Sequence, residues 1–283
     1  MTFGITGASG QLGRDAAARL LDVVDPAEIV LTSRTADSLR EFAVRGVDVR
    51  TADFGDPSSL AEAFDGIDGL LLISTDRVGD RLPGHLAAIQ AAATAGVRHV
   101  VYTSVPKPVE ANPALVAPDH LATEKALQSS GLAWTSLRNN LYADMQLAGL
   151  AHAAAAGQLV VNSGDGRAAY VTRADCAAAA VGALIQRSGK NVAYDITGPR
   201  ALSAYDLAAL AGADIEVVQL DDAAYVSALT RSGLPEHVAR LVASFGRATR
   251  EGYLETVTTA VTDLSGRAPT SLDALVKLAQ QAS

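Results

Sequence analysis

Along the first 140 residues, short apolar runs alternate with longer stretches whose apolar residues recur at helical spacing. Ile29–Ser33, Val47–Thr51, Gly69–Ser74, His99–Ser104 and Ala133–Leu137 read as strands. Between them Gln11–Val23, Asp37–Arg45, Pro57–Phe64, Leu82–Ala95 and Pro118–Ser129 read as helices. In the first of these, Leu12, Ala16, Leu20 and Val23 recur at helical intervals. Leu70-Leu71-Leu72-Ile73 is apolar on both faces, the pattern of a parallel strand covered by helices on each side. The alternation predicts an α/β fold, a Rossmann-like doubly wound parallel sheet with ligand sites at the C-terminal strand ends.

The rhythm changes after about residue 140. A predicted helix, Tyr142–Ala155, leads to Leu159-Val160-Val161 and a turn at Gly164-Asp165-Gly166. Another helix from Thr172 and a strand at Ala193–Thr197 follow, and the last eighty or so residues read as mostly helical. The pattern predicts a nucleotide-binding domain over 1–140, with returning elements from about 170–200. A smaller, mostly helical C-terminal lobe over 141–283 is expected on the substrate side. No linker-like tract or repeat interrupts the chain.

Composition narrows the function classes. The chain has 283 residues, 49% hydrophobic and 19% charged, which fits a packed globule rather than disorder. A net charge of −8 disfavours coating nucleic acid, which needs a basic field. It leaves room for a phosphate ligand, because a few arginines and amide dipoles suffice. No apolar run approaches the roughly 18–20 residues of a membrane span. The sequence opens on a predicted strand rather than a leader, and it holds one cysteine, Cys176, which reads as a buried thiol. The expectation is a cytoplasmic monomer or homodimer with no metal site.

The segment Gly7-Ala8-Ser9-Gly10-Gln11-Leu12-Gly13 lies between the first predicted strand, in Met1–Thr6, and the first helix. Strand, glycine-rich turn and helix bring backbone N–H groups and a helix N-terminus against a pyrophosphate. The spacing is G-x-x-G-x-x-G rather than G-x-G-x-x-G. Arg34 ends the second strand, twenty-one residues past Gly13. NAD-preferring folds carry Asp or Glu in that slot for the ribose 2′-hydroxyl, whereas an arginine offers a fork to a 2′-phosphate. The predicted cofactor is therefore NADP(H). Asp53 follows the third strand and is placed either on the adenine amine or in an Asx-turn, while Asp56 before Pro57 reads as a helix cap. Ser74, Thr75 and Asp76 end the fourth strand beside the expected phosphoribose. Arg138, Asn139 and Asn140 follow another strand, where amides can hold the nicotinamide carboxamide or a substrate oxygen. Tyr142 adds an aromatic wall, and Tyr170 is placed at the same crevice. Trp134 reads as core.

With these motifs in order, the chain resembles the NmrA-like atypical short-chain dehydrogenases, closest to the bacterial type-2 NAD(P)H:quinone oxidoreductases. The resemblance rests on Gly7–Gly13, Arg34, Ala52-Asp53-Phe54-Gly55-Asp56, Leu71-Leu72-Ile73-Ser74 and Ala95-Gly96-Val97 with Tyr102-Thr103-Ser104. It continues through His120-Leu121-Ala122-Thr123-Glu124-Lys125, Leu137-Arg138-Asn139, Gly164-Asp165-Gly166 and Thr172-Arg173-Ala174-Asp175, ending near Gly266–Thr270. Short-chain dehydrogenases usually carry Tyr-x-x-x-Lys, but Leu121 stands four residues before Lys125. A developing alkoxide would lack its nearby proton donor. The resemblance therefore implies flavin-free hydride transfer from NADPH to a quinone, whose reduced anion is stabilised by conjugation. An NADP(H)-binding redox sensor without turnover, or a reductase of another conjugated or imine-like substrate, remain the alternatives. The candidate catalytic residues are Lys125, Asn139, Asn140 and Tyr142. His120 and Lys125 fall roughly 140° apart around a helix. His120 and Glu124 share a face and read as a helix-surface pair.

Overall fold

The computed structural model describes residues 1–186 and 191–282. The first part of the chain runs β1 (Phe3–Ile5), α1 (Gln11–Leu21), β2 (Ile29–Ser33), α2 (Arg40–Ala43), β3 (Asp48–Thr51), α3 (Pro57–Phe64), β4 (Gly69–Leu72), α4 (Leu82–Thr94), β5 (His99–Ser104), α5 (Ala117–Ser129) and β6 (Ala133–Asn139). It continues through α6 (Gln146–Ala156), β7 (Gln158–Val161), α7 (Arg173–Gln186), β8 (Val192–Ile196), α8 (Ala204–Ala211) and β9 (Glu216–Gln219). The helices α9 (Asp222–Arg231), α10 (Glu236–Arg250), α11 (Ala260–Ser265) and α12 (Leu272–Ala282) complete it.

Seven strands form one parallel sheet in the order β3-β2-β1-β4-β5-β6-β8. The order reverses between β1 and β4, so the switch point that opens a crevice lies beyond the C-terminal ends of these two strands. Pleat alternation divides the apolar residues between two layers. Ile5, Leu31, Leu71, Val101 and Leu137 pack beneath α1, α7 and α11. Val30, Leu70, Leu72, Val100, Tyr102 and Trp134 face α3, α4 and α5. Leu71 pairs with Ile5 and Val101 and is fully buried; truncating such a leucine to alanine costs about 2–5 kcal/mol. Trp134 sits in this core, and Cys176 is buried in the opposite layer, where burial pushes its thiol well above the ordinary range.

Local chemistry sets several boundaries. Asp56 accepts from Ser58 N at 3.1 Å with Pro57 in the first turn, so α3 starts where the sequence places it. Ser203 and Asp206 form a reciprocal capping box that starts α8. The stretch Asp37–Arg45 is a 3₁₀ turn followed by the single-turn α2. The helix expected from Tyr142 becomes α-helical only at Gln146, because Tyr142 pairs with Val171 and Ala143 N donates to Val171 O at 2.9 Å.

The C-terminal part contains one strand that its pattern conceals. Glu216–Gln219 carries only two apolar residues, yet it forms β9, parallel to β7 in a separate two-stranded sheet. Glu216 N donates to Gly157 O at 3.0 Å and Leu220 N to Val161 O at 2.8 Å. The open edge of β7 makes this segment a strand, and that edge is not visible in local sequence.

Candidate active site

The glycine turn joins β1 to α1 directly over the sheet. Gly7 has φ of 60°, a left-handed conformation that glycine adopts at no steric cost. Gly13 lies so close to the turn that a Cβ there would stand 2.7 Å from Ala8 Cα. Gly10 is the N-cap of α1 and supplies no side-chain acceptor, and the first turn contains no acidic residue. The helix therefore presents its N–H groups and positive dipole end uncapped, beside exposed Ser9, Gly10 and Gln11. A pyrophosphate fits this cradle without displacing an internal partner.

The loop after β2 forms the next wall. The Ser33 hydroxyl donates to Ser9 Oγ at 3.0 Å and lies 3.2 Å from Ser38 Oγ. Arg14, which sequence reasoning passed over, laces the two segments together. It donates to Ser9 O at 3.1 Å and Ser38 O at 2.6 Å, and it pairs with Glu41. Arg34 is exposed beside this junction, with no ion pair or hydrogen bond among the described residues. Asp53 accepts from Gly55 N at 2.9 Å, the Asx-turn arrangement, and is exposed at the end of β3.

The strand ends past the switch point hold a row of buried polar atoms without protein partners. They are Thr75 Oγ1 after β4, Ser104 Oγ on β5, Asn139 Oδ1 on β6 and Asp195 Oδ1 on β8. Buried polar groups are nearly always paired, so these four atoms make the strand ends a candidate ligand site, although Arg81 Nε, Trp134 Nε1 and Ser136 Oγ are also buried without a partner among the described residues. Thr103 Oγ1 receives the Ser74 N–H at 2.8 Å and braces the loop after β4. Asp76 is exposed farther along it. Tyr142 lies near Asn139 with the Arg173 guanidinium 5.2 Å from its ring centroid, and burial raises its phenol. Burial also raises Asp195, against the pull of Arg138 and Lys107. Lys107, missed in the sequence, has a left-handed φ of 41° between two prolines and donates to Gly252 O at 2.9 Å. Its Pro-Lys-Pro context was the available signal, since strained non-glycine residues cluster at functional sites.

Four predicted site residues stand apart from this crevice. Lys125 lies on the outer face of α5, largely exposed and 4.0 Å from Glu110. One position earlier, Glu124 is buried and points inward, so the helical register turns Lys125 away. Arg138 forks onto Glu124 at 3.1 and 2.7 Å, leaving its charge already matched. Asn140 is committed at both ends of its amide, to Leu254 O at 2.9 Å and Leu141 N at 2.8 Å, and ties the lobe to the sheet. Tyr170 is buried in the lobe core against a cavity that Tyr142 also lines.

The expected surface pair of His120 and Glu124 is also corrected, because both are buried. His120 Nδ1 lies 2.7 Å from the Tyr102 hydroxyl and Nε2 lies 2.8 Å from Arg81. His85 Nδ1 lies 2.9 Å from Thr123 Oγ1, while its Nε2 accepts from Thr75 N at 3.2 Å. Burial, reinforced by Arg81, lowers His85 to about 4 and His120 well below its ordinary value. With both imidazoles neutral, this network braces α4, β5 and α5 behind the Thr75 loop. Three of its members are far apart in sequence, so no local spacing announced it.

Comparisons with known proteins bear on the family and the cofactor class. Residues 7–187 match the family model described as NAD(P)H-binding. The chain is 35% identical to quinone oxidoreductase 2 of Escherichia coli over 272 residues, covering 95% of each protein. It is 28% identical to the NAD(P)H azoreductase of Xenophilus azovorans, covering 93% of this chain and 92% of that one. The crystal structure of the E. coli NADPH-dependent quinone oxidoreductase QOR2 complexed with NADPH superposes with a TM-score of 0.94 at 34% identity, covering 99% of this chain and all of that one. The Citrobacter triphenylmethane reductase complexed with NADP(H) gives 0.92 at 29% identity over 99% of this chain and 100% of that one. No described helix is long and apolar enough to cross a membrane. The chain belongs to the NAD(P)H-binding family, as an oxidoreductase of the NmrA-like, Rossmann-type group.

Proposed function

We propose that this protein is an NADPH-dependent quinone reductase that passes hydride directly to its acceptor without a flavin. The observation that carries the reading is the inward face of α5. His120 and Glu124 occupy it, Glu124 is neutralised by Arg138, and Leu121 replaces the usual tyrosine acid. An acceptor that needs a strong local proton donor at the moment of transfer is poorly served by such a site. A quinone needs less, because its reduced anion is conjugated and takes its proton from solvent.

NADPH, when bound, supplies a hydride, and quinone, NADPH and a proton give hydroquinone and NADP⁺. The α1 N-terminus would hold the pyrophosphate, and Arg34 with Ser9 and Ser33 would receive the 2′-phosphate. Asn139, whose Oδ1 is unpartnered, would accept from the nicotinamide carboxamide. Tyr142 forms an aromatic wall beside it. The residues act chiefly by aligning the two rings.

The test is steady-state oxidation of NADPH by flavin-stripped protein, with benzoquinone and menadione as acceptors. Turnover without flavin, unchanged on adding FMN or FAD, is expected. Tight NADPH binding with no turnover on any quinone would leave a sensor instead.

A further inference from the structure

The loop from β4 to α4 brings Thr75 to the switch point, and three side-chain acceptors fasten its backbone. Ser74 N donates to Thr103 Oγ1 at 2.8 Å, Thr75 N to His85 Nε2 at 3.2 Å, and Gly79 N to Asp119 Oδ2 at 2.9 Å. Residues 76–80 are exposed. Thr75 is therefore the last point held from the interior before an exposed stretch, and its buried Oγ1 lacks a partner. A single imidazole nitrogen, on a side chain that is wholly buried, holds its amide.

That contact fixes where the proton of His85 sits. A nitrogen that accepts from an N–H must be bare, so the neutral ring carries its proton on Nδ1. Nδ1 then donates to Thr123 Oγ1 at 2.9 Å, and Thr123 donates to Asp119 O at 2.7 Å. The charged and titratable groups around the ring are Arg81 on α4, the Tyr102 hydroxyl of β5 at 3.5 Å, His120, Asp119 and Glu124 on α5, and Asp76 in the loop. Phe54, after β3, brings only a ring, 6.3 Å away. Among the described residues no carboxylate bonds the imidazole, and Arg81 opposes a second charge beside it. A proton on Nε2 would set two donors, that N–H and the Thr75 amide, against each other in a buried place, where neither has another acceptor.

We propose that His85 is a positioning residue for the cofactor: its bare Nε2 sets Thr75 at the switch point, and proton uptake there releases the loop and weakens NADP(H) binding. The inference needs the cofactor at the switch point and holds for any acceptor. Burial and Arg81 hold the imidazole at about 4 while the loop is fastened, against an ordinary 6.5. The fastened loop is thus fully favoured above pH 6.5 and loses that advantage as pH falls toward 4. Between pH 7.5 and 5 the advantage shrinks by at most roughly thirtyfold.

The test is calorimetric titration with NADP⁺, which survives acid, at pH 7.5 and 5 for the wild type, His85→Gln and His85→Leu. Glutamine keeps an acceptor and gains no proton, whereas leucine has no acceptor. The ligand's own phosphate titrates near pH 6 but does so equally in every variant, so the reading is the ratio between them. From pH 7.5 to 5 the wild type should lose at least about fivefold more affinity than His85→Gln, within the linkage ceiling. At pH 7.5 His85→Leu should bind about fivefold more weakly, the worth of one neutral hydrogen bond, and glutamine should restore most of that loss. Exchange protection of the Thr75 amide, read by NMR, should fall in the wild type at pH 5 and in His85→Leu at both pH values, and persist in His85→Gln. Parallel pH profiles for the wild type and His85→Gln would overturn the proposal, as would undiminished Thr75 protection in the wild type at pH 5. Should His85→Leu fail to fold, the comparison with glutamine decides alone.

Discussion

Replacing Arg34 with alanine tests the assignment of cofactor preference at a single atom group. Arg34 is exposed at the end of β2 and has no internal partner among the described residues, so the substitution should leave folding stability unchanged. What it removes is the attraction to a 2′-phosphate. Two unit charges about 4 Å apart attract by ~1 kcal/mol in water, and more at a partly shielded surface. A phosphate of nearly two charges therefore contributes about 2 kcal/mol, or roughly a thirtyfold loss of affinity. Arg14 cannot substitute, because Glu41 and the carbonyls of Ser9 and Ser38 already hold its guanidinium. NADH lacks the phosphate and should lose less than about twofold. The assay is tryptophan-quench or calorimetric titration with each cofactor at low salt, repeated at high salt. Raising the salt should shrink the wild-type preference, since the screening length falls from about 10 Å at 0.1 M to about 3 Å at 1 M. Equal losses for NADPH and NADH, or a preference insensitive to salt, would refute the reasoning.

Glu124→Leu strands the half-buried Arg138 guanidinium and should destabilise by about 3–5 kcal/mol in urea melts, whereas Glu124→Leu combined with Arg138→Leu should recover much of that loss. Because His85 is neutral in the folded state down to about pH 4 but titrates near 6.5 when unfolded, its contribution to stability is complete above pH 6.5 and declines as pH falls from there toward 4. Lowering the pH from 7 to 5 should therefore cost about 2 kcal/mol at this group, and His85→Gln should flatten the slope. Asn139→Ala removes the unpartnered acceptor on β6 and should lower kcat/KM for NADPH roughly fivefold to tenfold, with a smaller change for Asn139→Asp, which keeps an oxygen. Gly13→Ala drives a Cβ against the Ala8 backbone and should weaken NADPH binding and thermal stability together, read by titration and melting.

Sequence by itself determined the parts of this protein whose causes are local. The wholly apolar run at Leu70–Ile73 announces a strand buried on both faces, and Asp56-Pro57 starts a helix where it stands. The glycine turn is legible because only glycine accepts its left-handed φ and its close approach. The place of Arg34 just past β2 was legible from its distance along a repeating strand–helix unit. Tertiary structure decided whatever depended on the angle of a helix or the edge of another strand. A one-residue step around α5 separates buried Glu124 from exposed Lys125, and only packing against β6 fixes which of them faces inward. Asn139 and Asn140 are neighbours of one type, yet the first keeps an unpaired Oδ1 beside Tyr142 while the second is bound to Leu254. β9 exists because β7 offers it an edge, and Tyr170 lines a lobe cavity rather than the crevice. Such contacts join residues far apart in the chain, so only the assembled fold sets them.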